Sequence, residues 1–192
     1  TVRGIVRAEL GKTGTPGQTA YGRPDLDAFY EHHDVAGGFS YDQDLTRTVH
    51  QRATYSLSLS NQSSTNLIAD PPYTPSYDGH ASPFEWSDFP FDTHNTFRRH
   101  YASYQADWHV ATGSAGDHRL TALADWNGER ARLEDRLNSD EVKSSRDNVG
   151  ASVQHQMLWR RLSTTAGVRF EHNESFGTAV VPRASAAFTL RR

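Results

Sequence analysis

The feature that most limits how this chain can fold is the run at residues 97–137, FRRHYASYQADWHVATGSAGDHRLTALADWNGERARLEDRL. Ala102, Tyr104, Ala106, Trp108 and Val110 alternate with Tyr101, Ser103, Gln105, Asp107 and His109. After a short stretch of small residues at 113–117, Leu120, Ala122, Ala124 and Trp126 alternate with Thr121, Leu123, Asp125 and Asn127. A period of two puts the two sets on opposite sides of a sheet, so the run predicts two long strands joined by a tight turn. One face is built of small residues and aromatics, the other of charges and amides. That pairing suits a sheet with lipid on one side and water on the other.

The composition fits such a sheet better than a soluble domain. Only 35% of the 192 residues are hydrophobic and the mean hydropathy is −0.74, which leaves little for a two-sided core. A barrel with a polar interior needs apolar side chains on one face only. The formal net charge is −3 and no basic stripe stands out, so no nucleic-acid partner is expected. With no cysteine, disulfides and thiolate metal sites are excluded. No apolar run reaches the roughly 20 residues of a membrane helix, a test that strands escape.

Similar alternation recurs along the chain. Val2, Gly4, Val6, Ala8 and Leu10 share one face of a first strand. Residues 26–41, 49–60, 148–159, 164–173 and a last stretch ending at Leu190 supply further strands, about eight in all. Gly11-Lys12-Thr13 is similar to the end of a phosphate-binding loop, but position 6 is Val6 rather than glycine and no helix follows. His32 and His33 are adjacent, so a regular strand points them to opposite faces and they cannot share a metal. The charged run after Trp126 carries Leu133 and Leu137 at helical spacing; the unbroken alternation leading into it favours a strand top that enters a charged loop.

The predicted connections sort by length. Those at 11–25, 61–96 and 135–147 are long, and those at 42–47, 113–117 and 160–163 are short. Long and short alternate, as they do in an up-and-down meander with loops on one rim and turns on the other. The fold expected is therefore all-β, an antiparallel up-and-down meander of about eight strands forming part of a transmembrane β-barrel. The segment 61–96 combines five prolines with six aromatics. A connection that long is uncommon unless functional or disordered, and its aromatics argue against disorder. They can fold the segment onto itself, the more frequent outcome, or stack on a ligand, for which Tyr73, Tyr77, His80 and Trp86 are the best-placed groups. No pair of carboxylates and no G-x-S-x-G elbow is singled out, so no catalytic residue, cofactor or metal is expected.

Three stretches carry a family resemblance: GVRFEHNESFGTAVVPRASAAFTLR at 167–191, YASYQADWHV followed by HRLTALADWNGERA, and GIVRAELGKTGTPG near the start. Together they resemble the barrel of TonB-dependent outer-membrane receptors. The resemblance implies energy-coupled uptake of a scarce ligand, such as a metal chelate, cobalamin or a glycan, across the outer membrane. It also implies outer-membrane lipid, a plug domain and TonB as partners. Such barrels have 22 strands, and neither a plug nor a TonB-contacting segment is visible here. Residues 1–192 are therefore expected to be one section of the barrel. A complete small eight-strand barrel acting as an adhesin or structural protein, and a soluble carbohydrate-binding β-sandwich, are the competing architectures.

Overall fold

The structure is a computed structural model; it describes residues 1–15 and 25–190. Most of the first predicted loop therefore lies outside the described residues. Its opening residues, Gly11-Lys12-Thr13 included, continue a strand. Ten strands follow one another: β1 (Val2–Gly14), β2 (Phe29–Asp44), β3 (Val49–Asn66), β4 (Ser76–Tyr77), β5 (His80–Ala81), β6 (Phe91–Ala111), β7 (Asp117–Asp135), β8 (Asp140–Trp159), β9 (Leu162–Asn173) and β10 (Gly177–Phe188). Eight form a single sheet in the order β1-β2-β3-β6-β7-β8-β9-β10, every neighbour antiparallel, and β4 and β5 make a small separate hairpin.

Register explains why the alternation is so consistent. Tyr55 pairs with Ala102, Ala102 with Trp126, and Trp126 with Val149, so one apolar row crosses four strands. One residue along, Ser56 pairs with Tyr101, Tyr101 with Asn127, Asn127 with Asn148, and Asn148 with Asn173. That row belongs to the polar face. A slip of one residue in any ladder would exchange the faces.

The apolar band has a definable height. On β7 it runs from His118, opposite Val110, to Gly128, opposite His100. Ten residue steps at about 3.4 Å, inclined by 35–45°, give roughly 24–28 Å. Outer-membrane barrels carry an apolar band of about that height. Trp126 sits near one edge in a row of rings: Trp126 to His100 at 6.1 Å, His100 to Tyr55 at 6.1 Å and Tyr55 to Phe39 at 6.2 Å. Trp108 and Trp159 mark the other edge, where the Trp159 indole N–H donates to the Ser114 carbonyl at 2.9 Å. Aromatics at both edges form the girdles expected at membrane interfaces.

The connections correct the sequence in one respect. The loop expected at 135–147 is a four-residue turn at 136–139, because β7 and β8 continue pairing as far as Asp135 and Asp140. The Asp135 carboxylate accepts from the Leu137 and Asn138 amides at 3.0 and 3.1 Å and closes the turn. Above the apolar band both faces are charged, so periodicity there no longer separates strand from loop. Cross-strand pairs such as Arg132–Glu141 (3.0 Å), Arg130–Asp147 (2.7 Å) and Arg146–Glu129 hold the two strands together. Strands β6, β7 and β8 have 21, 19 and 20 residues. Spanning takes about 9–11, so roughly half of each strand stands beyond the band. The other long segment shrinks from 61–96 to 67–90, and the short turns lie at 45–48, 112–116 and 160–161.

The sheet is one layer, which excludes the sandwich. Ala28 is the one buried hydrophobic residue among those described, and the total accessible surface is 13756 Å². A compact monomer of 21.5 kDa exposes about 9,200 Å². The sheet is also open: among the described residues β1 pairs only with β2 and β10 only with β9. Because Asp42 and Thr1 exchange backbone hydrogen bonds, the even-numbered residues of β1 turn theirs to the free edge. At the opposite edge Thr189 donates to Arg161, which turns even-numbered positions outward and places the nitrogen of Pro182 on that side. Pro182 therefore removes no hydrogen bond from the β9–β10 ladder.

Candidate functional site

The segment 67–90, expected to hold the ligand contacts, folds on itself through its backbone. Tyr73 and Trp86 exchange two hydrogen bonds of 2.9 and 2.8 Å, an antiparallel bridge that closes its middle. Inside that bridge β4 and β5 meet at a tight turn in which Asp78 and Gly79 have φ of 49° and 76°. Glycine, and to a lesser degree aspartate, tolerates this left-handed region. The Ser82 amide donates to the Pro75 carbonyl at 2.7 Å and fixes the hairpin base.

Backbone closure leaves the rings to surround a cleft of about 440 Å³. Tyr73, Tyr77, His80 and Trp86, the four residues singled out in the sequence, all line it, joined by Phe84 and Pro75. Phe84 was legible only as one aromatic among several. Tyr77 keeps 68% of its surface exposed and Trp86 43%, so the rings are available to a molecule in solution. Several aromatic rings and a single imidazole lining one cleft suit binding of a flat or ring-shaped solute.

The segment is tied down at its base. Asn66, at the end of β3, is only 1% exposed. Its side-chain amide donates to Asp88 Oδ2 at 2.6 Å, Asp25 Oδ2 at 3.2 Å and the Phe89 carbonyl at 3.3 Å. Asp88 in turn accepts from the Asp70 amide at 2.6 Å. Asp25 caps the approach to β2 by accepting from the Asp27 and Ala28 amides at 3.0 and 2.8 Å. Partial desolvation, reinforced by the hydrogen-bonded Asp25 carboxyl, raises the pKa of Asp27 above its ordinary value.

The polar face carries a second constellation that the sequence did not reveal. Arg169 on β9 reaches across β8 to grip Asp125 on β7 with two hydrogen bonds of 2.9 and 3.1 Å, and its Nε donates to Glu171 at 3.2 Å. A Cβ at Gly150 would collide with that guanidinium, so glycine on the intervening strand permits the crossing. Higher on the same face, Glu129 is held by Arg146 and lies 3.5 Å from Arg99. With Phe97, Ser58 and Ser60 they line a polar recess of about 460 Å³. Asp125 and Arg169 are far apart in sequence, and only register brings them together. His32 and His33 do point apart: His32 lies 3.7 Å from Glu9, and His33 pairs with Glu31 at 3.0 Å.

A one-layer antiparallel meander with an apolar band between aromatic girdles, a charged opposite face and two unpaired edges is a section of a transmembrane β-barrel wall. The family model for the TonB dependent receptor-like β-barrel matches residues 4–191, and the chain belongs to that family. Its members are receptors and transporters of the Gram-negative outer membrane, not enzymes. Among solved structures, the chain is similar to the siderophore receptor PirA from Pseudomonas aeruginosa, at 18% identity and a TM-score of 0.41. That alignment covers 86% of this chain and 33% of the receptor, so the chain spans about a third of the structure it matches. No curated protein sequence matches it.

Proposed function

We propose that residues 1–192 form one section of the barrel wall of an energy-coupled outer-membrane receptor that takes up a scarce ligand. The apolar band faces outer-membrane lipid, and the polar face lines a lumen occupied by a plug domain supplied from outside these residues. TonB acts through that plug. The 67–90 rim faces the cell exterior, and the cleft lined by Tyr73, Tyr77, His80 and Trp86 makes first contact with a metal chelate, cobalamin or a glycan. The observation that carries this reading is that one segment places all four residues around a single cleft on the long-loop rim. The open edges of β1 and β10 support a place within a larger barrel over a closed eight-strand one.

The reading is tested by titrating the full-length receptor with candidate metal chelates, corrinoids and glycans, following tryptophan quenching. Trp86→Ala and Tyr77→Ala are each expected to weaken the binding ligand about tenfold or more, the scale of a lost aromatic stacking contact. Affinities unchanged in both variants would remove the cleft from ligand recognition.

A further inference from the structure

Two features meet on the apolar face where β3 adjoins β6. The first is a groove of about 480 Å³ walled by Val6, Val35, Phe39, Tyr55, Leu57 and Leu59. Its floor is Gly37, which pairs with Val6 on β1 and with Leu57 on β3. A Cβ at Gly37 would meet the Ile5 carbonyl at 3.6 Å and Val6 Cγ2 at 3.7 Å, both ordinary contacts. The groove is therefore room that a missing side chain leaves open. The second feature is Arg98. It is exposed, and among the described residues it forms no ion pair. Across the ladders it faces Leu59, a wall of the groove, on one side and Arg130 on the other. Arg130 has Asp147 at 2.7 Å. Like charges directly opposite on one face of a sheet repel, and Arg98 has no carboxylate to offset that.

Depth joins the two features. The last apolar side chain on this face is Trp126 on β7, Leu59 on β3 and Leu10 on β1. Trp126 shares its row with Ala102, Tyr55, Phe39 and Gly4, so Leu59 and Leu10 lie beyond that row. The edge of the band climbs from β7 towards β1, as strands inclined to the membrane require. On β2 and β3 the hydrocarbon layer thus ends at Val35 and Leu59, because His33 and Asn61 come next on the same face. The groove lies just beneath that level, and Arg98 lies at it. We propose that the groove holds an acyl chain of one outer-leaflet lipid whose phosphate is bound by Arg98. Hydrocarbon fills the space over Gly37, and a phosphate matches the guanidinium fork and separates it from Arg130. Arginine at a membrane surface attracts anionic headgroups. An apolar protein surface would fill the groove but leave Arg98 without a counter-ion. The choice of leaflet rests on the outward-facing 67–90 rim proposed above.

The test uses the full-length receptor in phosphatidylcholine vesicles that contain a trace of photoactivatable lipid. The lipid is phosphatidic acid or phosphatidylcholine, each with the same diazirine-bearing chain, and labelled residues are mapped by mass spectrometry. Labelling at 35–39 and 55–59 by phosphatidic acid should exceed that by phosphatidylcholine about fivefold, the scale of one arginine at an anionic headgroup. Arg98→Gln should remove the preference. Gly37→Leu should lower labelling by both lipids, because its side chain occupies the groove. Equal labelling by the two lipids in the wild type, or an unchanged preference in Arg98→Gln, overturns the proposal while leaving the lipid-facing side as assigned. Labelling by neither lipid overturns both.

Discussion

Replacing Val153 by arginine puts a charge on the apolar face at a depth the register defines. Val153 pairs with Ala122 and Val168, and Ala122 lies four of the ten steps from His118 to Gly128. It is therefore within about 3 Å of the band's midplane. Arginine there should cost roughly 2–4 kcal/mol. Gln154 neighbours Val153 in sequence but faces the polar side, opposite Thr121 and Gly167. Gln154→Arg should stay within about 0.5 kcal/mol of wild type. The assay is denaturant unfolding of the full-length receptor in phospholipid vesicles. Equal costs at Val153 and Gln154 would refute the assigned face, and a cost at Val153 below about 1 kcal/mol would refute the assigned depth.

Two further perturbations follow from particular contacts. Gly150→Ala should dislodge Arg169 from Asp125 and cost about 1 kcal/mol, the scale of a partly exposed ion pair. The same change in an Asp125→Asn background should cost clearly less, and equal costs in the two backgrounds would mean that Arg169 does not need the space. At the 136–139 turn, hydrogen bonds from the Asn138 side chain and backbone and the Leu137 amide hold the Asp135 carboxyl below its ordinary value of 3.8. A depressed folded pKa contributes stability above the unfolded value that is lost as pH falls through the folded one. The Leu137 and Asn138 amide resonances should therefore titrate with a midpoint below 3.8. A midpoint at or above that value would contradict the cap.

Much of this architecture was legible because lipid and water impose opposite demands on alternate residues. The rows through Tyr55, Ala102 and Trp126, and through Ser56, Tyr101 and Asn127, were assigned to opposite faces by period alone, and the ladders join them as expected. That signal ends where the strands leave the apolar band. Past Gly128 both faces of β7 and β8 meet water, so ERARLEDRLNSDEVKSS carries no face contrast, and Asp135 before the turn and the eight strand residues 140–147 after it read as loop. A subtler cue was present: Asp135 and Asn173 each stand two and three residues before the amides they cap, as asparagine and aspartate do in tight turns. The cleft residues were legible as aromatics in a proline-rich segment, but not the Tyr73–Trp86 bridge that arranges them. The Asp125–Arg169 clamp and the Asn66 cluster were beyond reach, because each depends on register or loop closure between distant positions.

The central claim, that these eight strands are a section of a larger barrel wall, is tested most directly by one distance. Residues 1–192 hold no cysteine, so in a full-length receptor cleared of any cysteine elsewhere, spin labels can be placed at Val6 on β1 and Ala184 on β10 and their separation measured by pulsed electron resonance. Eight strands spaced about 4.8 Å apart and curved into a 22-strand wall predict edges roughly 30–35 Å apart. A separation below about 20 Å, as for adjacent strands of a closed eight-strand barrel carrying flexible labels, would contradict it.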